Sequence, residues 1–391
     1  MKQSSISFSV LVPDGEATLI SSVVNSLSLM KNIKIYVLSS RTNKFLKPSN
    51  NNSCCLKHSR FIEKYVYHPV STDFEWVNKI DDIVDAHNID FVIPVIDKTI
   101  KRIIVNKHLF RNKNKLCILP ELSSLELAMD KGLLSKHLKS NNIPSPKSEI
   151  VSTSSKNYDS QLDFPLIAKP TINTQGGLDV FLLKNRNEFI KYLASNKKYN
   201  IILIQEFVDG YDVTCNVLCE KGELLAYTMQ KVAVVKEVKV TPQYEFSFFH
   251  DNDLLAIMKD LMKSLNWSGV ANIDFRYDNN VDSYKVIEIN PRFWFNTEAS
   301  ALVGVNFPYM YCLSSLQNKI EFKAIDNIRF INMDGLLKRI LYNPFFIFKI
   351  KFIYNNTPIR FAIKDPLVVL CKFIWRTNNI ISSKILKRKT S

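Results

Sequence analysis

The chain has 391 residues, 46% of them hydrophobic and 23% charged, which is enough apolar material for two or three packed domains and excludes a disordered protein. Seven cysteines in a long chain with no apolar stretch typical of a secretory signal argue for a reducing compartment and against a disulfide framework. No uncharged run reaches the length of about 20 residues that crosses a bilayer, so a cytoplasmic location is expected. The net charge of +15 is unevenly placed: from Leu336 onward there are twelve Lys or Arg against one acid, Asp365, a net of +11, whereas the other 335 residues carry 40 basic and 36 acidic side chains. A nearly balanced body speaks against a nucleic-acid partner, which wants a basic face on the folded domain.

In chain order, "SFSVLVP", "IKIYVLS" and "DFVIPVI" read as strands, with "EATLISSVVNSLSLM" and "DFEWVNKIDDIVDAHN" as the helices between them. This alternation predicts a parallel sheet with helices on its faces, a Rossmann-like N-terminal domain over residues 1–120. The first strand-to-helix turn, "VPDGEA", has a lone Gly15, so the dinucleotide fingerprint is absent. Helical periodicity follows in "ELSSLELAMDKGLLSKHLKSNNIPSPK", stopped by Asn141, Asn142, Pro144 and Pro146. Next come a strand "FPLIAKP", a turn "TINTQGG", a strand "LDVFLLK", a helix from Asn187 to Ala194, a strand "NIILIQEFV", and a hairpin in "YDVTCNVLCEKGELLAYTMQ" about Lys221 and Gly222.

Several of these pieces place chemistry-bearing residues. Lys169 ends an apolar strand, and the glycine pair Gly176 and Gly177 beyond it would let backbone N–H groups approach an anion, a combination suited to polyphosphate. In "LIQEFVDGYD" an apolar strand runs into Gln205, Glu206, Phe207 and Val208 and then Asp212, where backbone groups can read an adenine edge and a carboxylate can hold ribose hydroxyls. In "VIEINPR" a carboxylate, an amide and a guanidinium fall at every second position, so Glu288, Asn290 and Arg292 share one face of an extended chain. "ANIDFRYDNNVDSYKV" alternates likewise, with Asn272, Asp274 and Arg276 on one face, and the Asp278-Asn279-Asn280 cluster predicts a hairpin between the two runs. A turn near Val281 sets Asp274 opposite Glu288, with Cβ atoms roughly 4.5–5.5 Å apart, where two like charges call for a cation. Mg²⁺ is commonly held by one or two carboxylates together with substrate phosphates. The plainer alternative is a solvated polar face of an antiparallel strand.

Taken together, "MDKGLLSKHLKSNNIPSPK", "FPLIAKP" with "TQGG", "ILIQEFVDG", and "NIDFRYD" followed by "VIEINPRFW" resemble the ATP-grasp superfamily over roughly Glu121 to Leu313. "NPRFWFNTEASALVGVNFPYMY" is most similar to the carbamoyl-phosphate-synthase-like ligases of that superfamily. The resemblance implies an α/β chain with an α+β ATP-grasp domain over 121–320 and a basic C-terminal extension over 321–391. It implies that Lys131 and Lys169 contact ATP phosphates, that the Gly176-Gly177 loop closes over them, that Gln205 to Val208 hold adenine and Asp212 the ribose. It also implies that Asp274, Glu288 and Asn290 hold Mg²⁺ or Mn²⁺, and that Arg292, with Lys169, stabilises the transferring phosphoryl group. Many members carry a basic residue after the glycine pair; here Leu178 and Asp179 stand there.

The implied activity is ATP-dependent ligation of a carboxylate to an amine through an acyl phosphate, in amino-acid conjugate or surface-polysaccharide synthesis. The rival readings are a catalytically idle ATP-binding scaffold and a membrane-associated accessory protein. Cys215 and Cys219 share a strand face but lack a second ligand pair, so they read as buried thiols, and His250 reads as structural. In "LLKRILYNPFFIFKIKFIYNN" apolar and basic residues interleave around Pro344, predicting either a tail that docks peripherally on the inner, anionic face of a membrane or a helical layer packed on the body.

Overall fold

The structure, a computed structural model, describes residues 7–40, 52–155, 158–172, 179–196, 198–232, 244–316, 320–375 and 377. The chain divides into two compact units, one of Met1–Leu119 with Arg292–Lys323 and Arg329–Ser391, the other of Pro120–Pro291 with Ala324–Ile328.

The first unit opens with β1 (Phe8–Val12), α1 (Ile20–Leu27), β2 (Ile33–Ser39), β3 (Lys64–Tyr67), α2 (Asp73–His87), β4 (Phe91–Val92) and α3 (Asp97–Val105). The strands form a parallel sheet in the order β3-β2-β1-β4, as the alternating strands and helices predict. Every residue of β1 is buried, as expected of a parallel strand covered on both faces, and its one polar side chain, Ser9, is satisfied by the Asn88 carbonyl and Asp90. Trp76, Val77, Ile80 and Val84 on α2 pack against Leu11 and Leu38 of the sheet. Thr72 and Glu75 close a capping box at the start of α2, and Asn88 ends it in the left-handed conformation. Strand β3, in "EKYVYHP", was too short and too exposed to stand out by alternation.

The second unit begins with α4 (Leu122–Met129) and α5 (Lys131–Ser140), two helices where the periodicity reads as one. Asp130 separates them because its carboxylate caps α5, accepting from the backbone N–H groups of Gly132 at 2.7 Å and Leu133 at 3.0 Å. β5 (Ser148–Ser152), β6 (Leu166–Pro170), β7 (Phe181–Leu183), α6 (Arg186–Ser195) and β8 (Ile201–Glu206) follow, and their strands make an antiparallel sheet in the order β5-β8-β6-β7. A larger antiparallel sheet is built from β9 (Gly210–Glu220), β10 (Glu223–Val232), β11 (Glu245–Phe249), β12 (Gly269–Asp278) and β13 (Ser283–Asn290), running β13-β12-β9-β10-β11, with α7 (Asn252–Ser264) packed on β10. The sheet of β5 to β8 is filled by Leu166, Ala168, Phe189, Ile202 and Ile204. Gly210 admits no side chain, since a Cβ there would lie 1.7 Å from the Tyr277 carbonyl oxygen on β12.

Residues 292–320, grouped with the ATP-grasp segment by sequence pattern, cluster with the first unit. The cause is packing on α1 by α8 (Thr297–Leu302) and α9 (Phe307–Ser315): Tyr309 stacks on Phe8, and the Asn306 amide donates to the Ser26 carbonyl at 2.7 Å. The C-terminal region contributes β14 (Ile328–Ile331), α10 (Met333–Tyr342), a 3₁₀ turn at Pro344–Phe348, α11 (Ile350–Asn356), α12 (Ile359–Lys364) and a last helix over 366–375. Its inner side is tied to the N-terminal part of the same unit: Asp365 is buried and accepts from Ser59 Oγ at 2.5 Å and the Arg60 N–H at 3.2 Å. Cys55 and Cys371 form a disulfide, contrary to the expectation that the cysteines stay free; two residues 316 apart give no spacing cue in the sequence. Cys117, Cys215, Cys219 and Cys312 are free and buried. No helix among the described residues is long and apolar enough to cross a membrane.

Asp14, just past β1, is fully enclosed, and its carboxylate accepts from the Val95 N–H at 2.6 Å and from the Thr99 hydroxyl. Burial pushes its carboxyl up to about 7, against the pull of those donors. A raised folded-state value means that the folded chain holds a proton the unfolded chain has released. Stability supplied by this group is therefore complete at pH below the unfolded value and is lost as pH rises to about 7, by about 1.4 kcal/mol per pH unit. Asp14→Asn, which keeps the shape, should flatten that part of the stability profile between pH 4.5 and 7, as read by urea denaturation at several pH values; an unchanged slope would remove Asp14 as its source.

Candidate nucleotide and metal site

The site grows from the β12–β13 pair. Its register sets Asn272 against Asn290 and Asp274 against Glu288, followed by a bulge at Ile287. Asp274 and Glu288 are therefore opposed carboxylates on one face. Thr214 of β9 donates to Asp274 at 3.2 Å, and the Asn290 amide donates to Asp274 at 3.2 Å, Asn272 at 3.3 Å and Glu288 at 3.5 Å. Behind them a polar ladder crosses four strands. Asn272 donates to the Asn216 amide oxygen at 2.9 Å, and Asn216 donates to the Thr228 hydroxyl at 3.0 Å, with both Asn216 and Thr228 buried.

Two lysines face the carboxylates. Lys131 opens α5, where its N–H donates to the Thr171 carbonyl at 2.8 Å and its ammonium lies 3.0 Å from Glu288. Lys169 sits on β6 and is only 4% exposed. Burial lowers its ammonium to about 8, with Lys131 pushing the same way and Glu288 and Asp274 opposing. Asp274 is driven up to about 7 by burial and by Glu288. Glu288 experiences the same burial but is held below the usual range by Lys131 and Lys169.

Residues 128–295 match the family model of the ATP-grasp domain. The chain carries an ATP-grasp domain. Among solved structures, the fold is similar to N5-carboxyaminoimidazole synthetase from Staphylococcus aureus complexed with ADP, with a TM-score of 0.64 and 14% identity over 87% of this chain and 88% of that one. It is also similar to an L-amino acid ligase from Bacillus licheniformis, at a TM-score of 0.56 and 15% identity over 81% and 75% of the two chains. A third is the biotin carboxylase domain of Hydrogenobacter thermophilus 2-oxoglutarate carboxylase, in complex with MgADP, ADP and bicarbonate, at 0.59 and 14% over 82% and 72%. At these identities the likeness is one of fold.

Within the ATP-grasp unit, Lys131, Lys169, Asp274, Glu288 and Asn290 converge. The segment Gln205–Val208 and Asp212 form a second cluster around Arg276 and Lys285, two residues to which the sequence assigned no role. Arg276 donates to the Val208 carbonyl at 2.6 Å and the Gly210 carbonyl at 2.9 Å, pairs with Asp212 at 2.6 Å, and lies over the Phe207 ring. Lys285 pairs with Glu206 at 2.7 Å and with Asp278 at 2.8 Å. The N–H groups of Glu206 and Phe207 are engaged by the Lys147 and Pro165 carbonyls, and Gln205 is buried. Asp212 is thus already paired with a guanidinium on its exposed side chain. Arg292 does not continue β13, which ends at Asn290; it begins the second stretch of the first unit, where its guanidinium donates to the Phe293 carbonyl at 2.9 Å. Gly176 and Gly177 lie outside the described residues. Asp179, beyond them, accepts from the Lys198 ammonium and the Tyr199 hydroxyl, both at 2.6 Å.

His250 bonds to the Tyr227 hydroxyl and the Asn252 amide, at 3.2 Å each, the structural role expected of it. The ladder makes one residue remote from the carboxylates decisive for them. Asn216→Ala would remove the acceptor of the buried Asn272 amide, which costs on the order of 1–3 kcal/mol. The expected result is a lower melting temperature together with a raised Mg²⁺ requirement for ATP turnover, because Asn272 no longer orients Asn290. A variant destabilised to this extent but with an unaltered Mg²⁺ dependence would show the ladder to be purely structural.

Proposed function

We propose that the protein is an ATP-dependent carboxylate–amine ligase that forms ADP by way of an acyl phosphate. One observation carries the reading: opposed, half-buried Asp274 and Glu288, bridged by Asn290 and faced by Lys131 and Lys169, inside an ATP-grasp domain. The donor chemistry fits a hard divalent ion. Asp274 is driven towards the protonated form by burial and by Glu288, a strain that a cation between the two carboxylates relieves. Among the described residues no group of three or more His, Cys, Asp or Glu is placed to hold a metal ion, so the third protein ligand would be the Asn290 amide. Mg²⁺ or Mn²⁺ held by Asp274, Glu288 and the Asn290 oxygen would take its remaining ligands from phosphate and water, the usual arrangement for Mg²⁺ with nucleotides. When bound, the ion would neutralise phosphate charge and polarise the transferring group.

The chain's own residues would do the rest. Lys131 and Lys169 would neutralise phosphate oxygens, and an anion beside Lys169 would oppose the burial that depresses its ammonium. Gln205 to Val208 are proposed to hold the adenine, Asp212 the ribose once it exchanges Arg276 for hydroxyls, and Arg292 the transferring phosphoryl group. In the first step a carboxylate oxygen of the substrate bonds to the γ-phosphorus and the bond to the β-bridging oxygen breaks, releasing ADP. In the second an amine nitrogen bonds to the acyl carbon, phosphate departs with the bonding pair, and the amine loses a proton. A free carboxylate is a poor acyl donor, which is the physical reason ATP is needed. An amino-acid or surface-saccharide precursor as acceptor, and a carbamoyl-phosphate-synthase-like lineage, belong to the same proposal.

Incubation with Mg·ATP and a panel of amino acids and sugar acids should release ADP and phosphate, and hydroxylamine should trap a hydroxamate of the activated acid. Release of AMP and pyrophosphate would instead indicate adenylation and overturn the acyl-phosphate route. Glu288→Gln should reduce substrate-dependent turnover by at least about a hundredfold, of the size seen on removing a charge-stabilising group. The variant should stay folded by circular dichroism, and parental turnover in it would dismiss the metal assignment.

A further inference from the structure

The C-terminal region has two unlike sides. Its inner side carries Leu336, Phe346, Phe361 and Asp365, all buried, and Cys371 in its disulfide. Its outer side leaves large apolar side chains in water: Leu341 is 81% exposed, Tyr342 91%, Phe345 76%, Phe348 75%, Ile350 72% and Phe373 66%. An apolar surface this extended marks an interaction site. Lys338, Lys349, Lys351 and Lys364 are exposed among these residues. The one acid from Leu336 onward, Asp365, is turned inward to Ser59 and Arg60, so the outward charge from Leu336 to Ile374 is positive, with Asp334 in the first turn of α10 the exposed acid just before it.

From this combination we infer that the outer side of residues 337–374 docks on an anionic lipid surface. The apolar side chains would enter the boundary between headgroups and acyl chains, and the lysines would reach the phosphates on flexible stems. The helices suit lying in that plane: α10, α11 and α12 are ten, seven and six residues long, interrupted at Pro344 and Pro358, and none of them spans a bilayer. Positive charge selects this occupant over a second copy of the chain, since two such faces brought together would each present the same lysines to the other. The disulfide between Cys55 and Cys371 and the Asp365 bonds hold the region on its own unit, so the surface is already formed before it meets lipid.

The full-length protein should co-sediment with vesicles of phosphatidylcholine containing phosphatidylglycerol and not with phosphatidylcholine alone, and high salt should release it. Lys349→Gln with Lys351→Gln should weaken partitioning by about fivefold per charge removed. Phe345→Ser with Phe348→Ser should abolish it while leaving ATP turnover in solution and the melting temperature unchanged, since both rings are exposed. Indifference to the anionic vesicles at low salt would overturn the inference. So would light scattering that shows a dimer dissociated by the Phe345→Ser and Phe348→Ser pair, because the face would then belong to a second copy. Equal binding to neutral and anionic vesicles would likewise discard the anionic specificity.

Discussion

Two like charges held face to face in a half-buried place organise the ATP-grasp unit. Asp274 and Glu288 occupy opposed positions of an antiparallel pair, where mutual repulsion and loss of water act in the same direction. The surroundings answer in three ways. Lys131, fixed at a helix start by its own backbone bond, supplies a counter-charge to Glu288. Lys169 adds a second cation whose own burial it resists. The Asn290, Asn272, Asn216 and Thr228 ladder delivers donors from successive strands without bringing in more charge. The result is unequal, with one carboxyl driven up by burial and by its neighbour, and the neighbour held down by the two lysines.

Local pattern made part of this visible in advance. Alternation in "ANIDFRYD" and "VIEINPR" is a period-two signal, and period-two signals fix faces, so the hairpin and the opposition of Asp274 and Glu288 could be read from residues alone. The bulge at Ile287 could not. By strict alternation Lys285 and Glu288 fall on opposite faces, yet the extra residue brings both to the face shared by Asp274 and Arg276. Lys285 therefore escaped notice, although it pairs with Glu206. Arg276 was placed on the right face, but its hold on Val208, Gly210 and Asp212 depends on a neighbouring strand and loop that no short window contains.

Longer-range facts were out of reach for the same reason. The parallel sheet followed from the order of strands and helices, whereas the return of residues 292–323 to the first unit rests on contacts such as Tyr309 with Phe8, about 300 positions apart. The C-terminal region shows the intermediate case. Its composition announced a basic, apolar segment, and two readings competed: packed on the body or laid on a surface. In the structure each claims a side, because short helices broken by prolines give every turn an inward and an outward residue.

The Cys55–Cys371 bond also changes the molecule as an object. It closes a covalent ring whose two ends are 316 positions apart, and the entire ATP-grasp domain lies inside that ring. A chain so circularised has fewer extended states to lose on folding, an effect of about 5–6 kcal/mol in the loop-entropy picture. It also means that a single cut anywhere between the two cysteines yields pieces that stay joined, so the protein can be nicked within its ATP-grasp domain without coming apart until it meets a reductant.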